Sequence, residues 1–478
     1  MTEEVQIEDG PPRKPKRGLL IDVRIDGLDR RGHGMGVALF GTRPVKVRVR
    51  RGLPGSLVRV RMLGRRKGAW EGQSVELLEA SADQVDATCA HFGSCGGCSF
   101  QHLAYPAQLR VLADQVQGSM EGLLDGVQFD DIIGAESIWN YRNKMDFTFA
   151  SRRWVEEHEP EGADRDFALG LHVPERFQKV LDIHSCKIHF EQADGLLESV
   201  REVARRRGLP PWDCIAHKGL LRHLVLRKGM RTGEVMVNLV TSSEAPDEID
   251  PFVAELIERH PEITTFVQNI NTRPAATSVG EWERVLHGSG VIQERVLGLD
   301  FTLSANSFFQ TNTEQCDVLF KVLAEEAGSR PEDVVYDLYC GTGAIGLSLA
   351  RGVRQVYGWE TVAQAVTDAA HNARQNGIDN ALFMAGDVLD GLAQRGDIPD
   401  PDIVVLDPPR SGLHPKVIPS VMRLGPRRIV YVSCNIHAAA EDIPAFKMCG
   451  YDLTRVRPID LFPHTPHVET VLTLERRS

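Results

Sequence analysis

From residue 301 onward the chain alternates strand-length apolar runs with helix-length segments, at 334–339, 345–351, 355–360, 361–376, 381–387, 402–407, 416–424 and 428–433. The strand-length runs are apolar almost throughout rather than at every second position, so both faces must be covered, as in a parallel sheet flanked by helices. That pattern predicts an α/β fold with a doubly wound, Rossmann-like sheet over 301–478. The runs 451–456 and 468–474 are expected to pair as its last strands. Open sheets of this kind bind ligands beyond the carboxyl ends of their strands. Residues that end those runs are therefore the first candidates for chemistry.

A chain of 478 residues is too long for one core. Residues 1–15 are charged and proline-bearing, and are expected to form a disordered tail. Between 16 and 79, five short runs at 19–25, 36–40, 45–49, 56–63 and 70–78 are separated by glycine turns, the pattern of a small OB-like β-barrel. Residues 80–300 open with a cysteine cluster and carry the strand-like runs 221–227 and 234–240, which read as a central α+β domain.

The formal net charge is −11, yet residues 11–70 hold 17 Lys and Arg against three Asp. Alternation in Val45-Lys46-Val47-Arg48-Val49-Arg50 puts a row of cations on one sheet face, suited to tracking phosphates. A nucleic-acid partner is thus expected of a chain whose remainder is acidic. No run approaches the roughly 18 apolar residues of a membrane span. The acidic residues 1–10 lack the apolar core of a secretory signal, so a cytoplasmic protein without a membrane partner is expected.

Nine cysteines without an export signal argue against a disulfide framework. Cys89, Cys95 and Cys98 stand close together, with two glycines letting a tight loop turn the last two thiolates to one centre. Cys186 follows at a distance. Four thiolates suit tetrahedral zinc or an iron–sulfur cluster alike.

Cys434 ends the run 428–433 in Tyr431-Val432-Ser433-Cys434-Asn435, where a nucleophile would stand. Upstream, Asp337-Leu338-Tyr339-Cys340-Gly341-Thr342-Gly343 turns from strand to helix, and its glycines let the backbone approach a ligand at a helix N-terminus. Glu360 ends the next run, where a carboxylate can accept both hydroxyls of a ribose. Asp387 ends the third, where an adenine amino group can be met. The loop lacks a full Gly-x-Gly-x-x-Gly, as suits a methyl donor of the S-adenosylmethionine type, which has no pyrophosphate. Three further motifs complete the set: Ser304-Ala305-Asn306-Ser307-Phe308-Phe309-Gln310-Thr311-Asn312, Asp407-Pro408-Pro409-Arg410, and Phe462-Pro463-His464-Thr465-Pro466-His467-Val468-Glu469.

Together these motifs resemble the RNA 5-methyluridine (uracil-C5) methyltransferase family, and the resemblance covers nearly the whole chain. It implies an S-adenosylmethionine-dependent enzyme that methylates uridine C5 in structured RNA. Uracil C5 is too weak a nucleophile to take a methyl group unaided, so a thiolate must first add to C6; the resemblance gives that role to Cys434, and removal of the C5 proton to Glu469. It makes Gln310, Tyr339, Glu360 and Asp407 cofactor contacts, matches Cys89, Cys95, Cys98 and Cys186 to the ligands of a [4Fe–4S] cluster, and likens 16–79 to an RNA-binding TRAM domain. Two positions depart from the family pattern: Ala344, where Asn or Thr is frequent, and Ile436, where proline is usual.

A TRAM-like domain together with a cluster is commonest among family members acting on large-subunit ribosomal RNA. The expected substrate is therefore 23S rRNA, with tRNA the alternative. A cytosine-C5 enzyme would carry its cysteine in an Asp-x-Pro-Cys-type turn. An amino-group methyltransferase would place an aromatic residue where this chain has Arg410. A non-catalytic iron–sulfur RNA-binding protein would have no reason to keep Cys434 with Glu469.

Overall fold

The structure, a computed structural model, describes residues 14–156, 159–275 and 277–477. The expectation for the tail 1–15 lies outside the described residues except at 14 and 15. Two compact units make up the chain: one of residues 1–93, 97–115 and 464–466, the other of 94–96, 116–463 and 467–478.

In the first unit β1 (Leu20–Leu28), β2 (Gly34–Phe40), β3 (Arg43–Val49), β4 (Leu57–Arg66) and β5 (Ala69–Glu79) close into a barrel in the order β1-β2-β3-β5-β4. Alternation sends Val23, Ile25, Val47, Val49, Val60 and Met62 inward as its core. At Gly36 a Cβ would lie 2.1 Å from the Arg24 carbonyl oxygen, so only glycine lets β1 and β2 approach there. Lys46, Arg48 and Arg50 do point away from the core, but they are not an unbroken phosphate track. Arg48 is paired with Asp29 (2.7 Å) and Glu71 (2.8 Å), and Arg50 donates to the Gly93 carbonyl (2.9 Å). Helix α1 (Tyr105–Ser119) follows the barrel. His464, far along the chain, belongs to this unit: its backbone N–H donates to Gln108 Oε1 (3.0 Å), and its carbonyl accepts from Ser99 N (2.8 Å) and Phe100 N (3.0 Å).

The second unit holds two large sheets. After the two-residue β6 (Gln128–Phe129) come β7 (Lys144–Trp154), β8 (Asp166–Val173), β9 (Arg176–Asp182), helix α2 (Ala193–Arg206), β10 (Leu221–Lys228), β11 (Val235–Thr241), helix α3 (Pro246–Arg259), β12 (Ile263–Ile270) and β13 (Trp282–His287). These strands form a seven-stranded sheet in the order β13-β12-β11-β10-β7-β8-β9. The hairpin β14 (Val291–Val296) and β15 (Leu299–Ser304) then leads into α4 (Thr313–Ala327).

The remainder alternates as the apolar runs require: β16 (Val334–Leu338), α5 (Ala344–Ala350), β17 (Gln355–Glu360), α6 (Ala363–Gln375), β18 (Ala381–Ala385), α7 (Val388–Ala393), β19 (Ile403–Leu406), α8 (Val417–Met422), β20 (Arg428–Ser433), α9 (Ile436–Met448), β21 (Tyr451–Ile459) and β22 (Glu469–Arg476). The eight-stranded sheet runs β18-β17-β16-β19-β20-β22-β21-β6. Its first five strands are parallel, and β22 is antiparallel to both neighbours. Val335, Val356, Val405, Val430 and Val471 lie in one buried core with Leu319 and Leu323 of α4 and Leu347 of α5. The strand order reverses between β16 and β19, which opens the crevice at the carboxyl ends.

Candidate active site

Cys434 emerges part-buried from the end of β20. Burial, with the carboxylates of Glu469 and Asp407 nearby, pushes its thiol up to about 11; Arg410, which hydrogen-bonds to it, pulls the other way. Glu469 opens β22 and is 5 % exposed. Burial, and then Asp407, raise its carboxyl to about 8, again against Arg410. Asp407 follows β19 directly, and burial raises it to about 7. One thiol, two carboxyls and a guanidinium thus meet at the ends of three adjacent strands.

The loops that carry them are tied together. Asn435 Nδ2 donates to the Arg410 carbonyl (2.8 Å), and Asn435 N to Ser433 Oγ (3.1 Å). The Asp442 carboxylate on α9 accepts from the Tyr431 hydroxyl (2.8 Å) and from Leu413 N (3.3 Å). The loop after β19 is therefore held by Asn435 and by Asp442 of α9, just downstream of Cys434, and Asp442 ties that helix back to Tyr431 of β20. Ile436, which stands where the family usually has proline, is the first residue of α9 and is buried. Proline favours that position because its fixed φ suits a helix start, and isoleucine starts the same helix with an apolar anchor.

The neighbouring strand ends form a cradle. Tyr339 takes φ 68° directly after β16, and Gly341 and Gly343 also lie in the left-handed region. The Glu360 carboxylate at the end of β17 accepts from Gly341 N (3.2 Å), Val362 N (2.9 Å) and Thr361 Oγ1 (3.0 Å), which fixes it against the loop. A Cβ at Gly346 would lie 2.8 Å from Asp337 Oδ2, the atom that accepts from Gly346 N at 2.8 Å. Asp337 is fully buried, and burial raises it to about 7. Ala344 is the first residue of α5, behind the Gly343 cap.

Asp387 lies beyond the end of β18 and caps α7 instead, accepting from Leu389 N (2.8 Å). Gln310 is part-buried between β15 and α4. Asn312, not Gln310, caps α4, accepting from Gln315 N (3.2 Å). Asp337, quoted in a motif without a role, is a buried acid that accepts from Gly346 N, and Arg410, expected in the floor formed by Asp407 to Arg410, is the cation beside the thiol.

Cys89 and Cys98 belong to the first unit, Cys95 and Cys186 to the second, and all four are part-buried. Among the described residues no three His, Cys, Asp or Glu side chains form a group placed to hold a metal ion. No helix among them is long and apolar enough to cross a membrane.

The sheet order, the glycine turn after β16 and the carboxylate at the end of β17 define a methyltransferase of the Rossmann-like type. A family model described as tRNA (uracil-5-)-methyltransferase matches residues 258–387 and 399–477. An uncharacterized RNA methyltransferase of Chlorobaculum tepidum is 40 % identical over 88 % of this chain and 90 % of its own length. Another, from Caldanaerobacter subterraneus, is 38 % identical over 96 % of this chain and 99 % of its own. The crystal structure of Pyrococcus abyssi tRNA (uracil-54, C5)-methyltransferase with S-adenosyl-L-homocysteine superposes with a TM-score of 0.74 at 28 % identity, covering 95 % of this chain and 99 % of that one. The chain belongs to the RNA uracil-C5 methyltransferase family and is an S-adenosylmethionine-dependent enzyme.

Proposed function

We propose that the enzyme methylates C5 of a uridine in 23S ribosomal RNA, in the cytoplasm, through a covalent bond between Cys434 and C6. The observation that carries this reading is the meeting of the Cys434 thiol, the Glu469 carboxyl and Arg410 at the ends of adjacent strands. The Cys434 thiolate adds to C6, and the electron pair of the C5=C6 bond moves onto C5 and O4. C5 then takes the methyl group, which the sulfonium of S-adenosylmethionine supplies. Glu469 removes the C5 proton, the S–C6 bond breaks, the double bond returns and Cys434 leaves as thiolate. Arg410 favours the ionised form of both groups. The target base must leave its stack to reach a thiol at this depth.

Tyr339, Glu360, Asp387 and Gln310 are the side chains we assign to the methyl donor, with Asp407 as the floor beneath the methyl group. The fixed Glu360 carboxylate and the close approach at Gly346 support this cradle. We assign RNA binding to 16–79, iron–sulfur binding to 80–300 through Cys89, Cys95, Cys98 and Cys186, and methyl transfer to 301–478. The cysteine spacing and the choice of four thiolates support the cluster; no chemical step passes through it.

The likeness to a tRNA enzyme favours tRNA as the second reading. Methylating rRNA and tRNA transcripts side by side with labelled S-adenosylmethionine, then digesting to nucleosides, decides between them. Labelled 5-methyluridine from rRNA alone is expected. Label from tRNA alone would transfer the assignment, and label in cytidine or in an exocyclic amine would overturn the chemistry.

A further inference from the structure

The segment 139–143 is fastened on both sides by hydrogen bonds. On one side Asn140 N donates to the Lys187 carbonyl (3.0 Å), Arg142 N to that of Ile188 (2.8 Å), and Phe190 N to that of Arg142 (3.1 Å). Asn140 makes this possible by taking φ 52°, a left-handed conformation that asparagine tolerates. On the other side Asn143 N donates to the Thr311 carbonyl (2.8 Å). The Asn143 side chain spends both its amide hydrogens on the same stretch, one on the Gln310 carbonyl (3.0 Å) and one on Thr313 Oγ1 (3.0 Å). Thr313 passes the chain on, donating to the buried Glu294 carboxylate (2.6 Å). Asn143 is 5 % exposed, so water cannot replace its two donated bonds.

From this geometry we infer that Asn143 is a positioning residue for the methyl donor: it sets the backbone at Gln310 and Thr311, holds the Thr313 hydroxyl, and ties this stretch to the segment 187–190, which follows Cys186. The inference rests on the assignment of Gln310 to the donor. Asn143 itself touches only protein, and it acts by limiting where the Gln310 side chain can start from. A loose Gln310 must be ordered again at each binding event, so loss of the Asn143 amide should weaken donor binding.

Calorimetric titration of S-adenosylmethionine into the wild type, Asn143→Asp, Gln310→Ala and the double variant tests this. Asn143→Asp keeps the shape and removes both donated hydrogens. Each single variant is expected to weaken binding about tenfold, and the double variant scarcely more than either, because the two act as one unit. In turnover, KM for S-adenosylmethionine should rise more than kcat falls. Weakening in Gln310→Ala without weakening in Asn143→Asp would overturn the positioning role and leave Gln310 in place. Full additivity would do the same. Unchanged binding in Gln310→Ala would overturn the assignment of Gln310, and the positioning role with it. Should Asn143→Asp fail to accumulate folded protein, Thr313→Val, which removes one of the two acceptors, takes its place in the same cycle.

Discussion

Cys434 and Glu469 stand at one end of the antiparallel pair β20 and β22, close enough for the carboxylate to raise the thiol. Ser433 and Thr470 are the last paired residues; Cys434 follows the one and Glu469 precedes the other. The proposed nucleophile and base therefore flank the last pair of these two strands.

This placement separates the two roles experimentally. Cys434→Ala should abolish both turnover and any covalent RNA adduct. Glu469→Gln still permits addition and methylation but not proton removal, so a methylated protein–RNA adduct should accumulate. Denaturing gels with mass spectrometry read both; near-normal turnover by Cys434→Ala would exclude the covalent path, and absence of adduct in Glu469→Gln would reassign the base.

Activity should climb with pH through about 8. Burial holds Glu469 protonated up to that value, and a protonated carboxyl cannot take the C5 proton. The Cys434 thiol, raised to about 11, adds a further rise above it. A kcat/KM profile that is flat between about pH 6.5 and 8.5 would contradict this assignment.

Stability should move the opposite way. Asp337, Asp407 and Glu469 are raised from ordinary values of 3.8, 3.8 and 4.5 to about 7, 7 and 8, so the folded chain holds protons that the unfolded chain releases. Their stabilising contribution is full below about pH 4 and is lost as pH rises through 7 to 8. Thermal melts should show Tm falling between about pH 5 and 8.5. Asp337→Asn, whose amide oxygen can still accept from Gly346 N, should flatten that fall by on the order of 1 kcal/mol.

RNA affinity should depend on salt through the barrel. Lys46, Arg61 and Lys67 are exposed there. Changing each to Ala should lower the slope of log affinity against log salt by about 0.7–0.9 for every phosphate that is no longer neutralised. Arg48→Ala should instead lower the melting temperature, since Arg48 pairs with Asp29 and Glu71. An unchanged slope in the triple variant would place the RNA elsewhere.

Anaerobically purified protein should be brown and carry about four irons per chain. Replacing any one of Cys89, Cys95, Cys98 or Cys186 should bleach it. Zinc in place of iron, or a colourless full-length protein under those conditions, would remove the cluster from the proposal.

What could be read from the sequence was what local patterning decides. The run 428–433 is β20 to the residue, because an unbroken apolar stretch bounded by Pro426 and Asn435 has few alternatives. The barrel strands follow from alternation, and Glu360 ends β17 while Asp407 and Cys434 follow β19 and β20 directly, as the runs predict. Helix α9 was not foreseen, since it begins Ile436-His437-Ala438-Ala439-Ala440 without a capping side chain and contains Pro444. Asp387 was placed on a strand when it caps a helix. Nor could periodicity show that Asn143 meets Gln310, 167 positions away, or that Arg48 is spent on Asp29. Those facts belong to tertiary structure.

The edge of the eight-stranded sheet has a consequence for how the protein is made. Gln128 and Phe129 pair with Arg455 and Val456, and Asp130 binds Arg455 across 325 residues. Between that edge and β20 lies β22, which leaves the ribosome after every other strand of the sheet. Until it is in place, β21 with its β6 partner has no strand pairing to the parallel strands, and the Cys434 thiol lacks the Glu469 carboxyl. A chain in which β22 has not yet docked thus has Cys434 without the Glu469 carboxyl beside it, and the closing of the sheet and the completion of this site are one event.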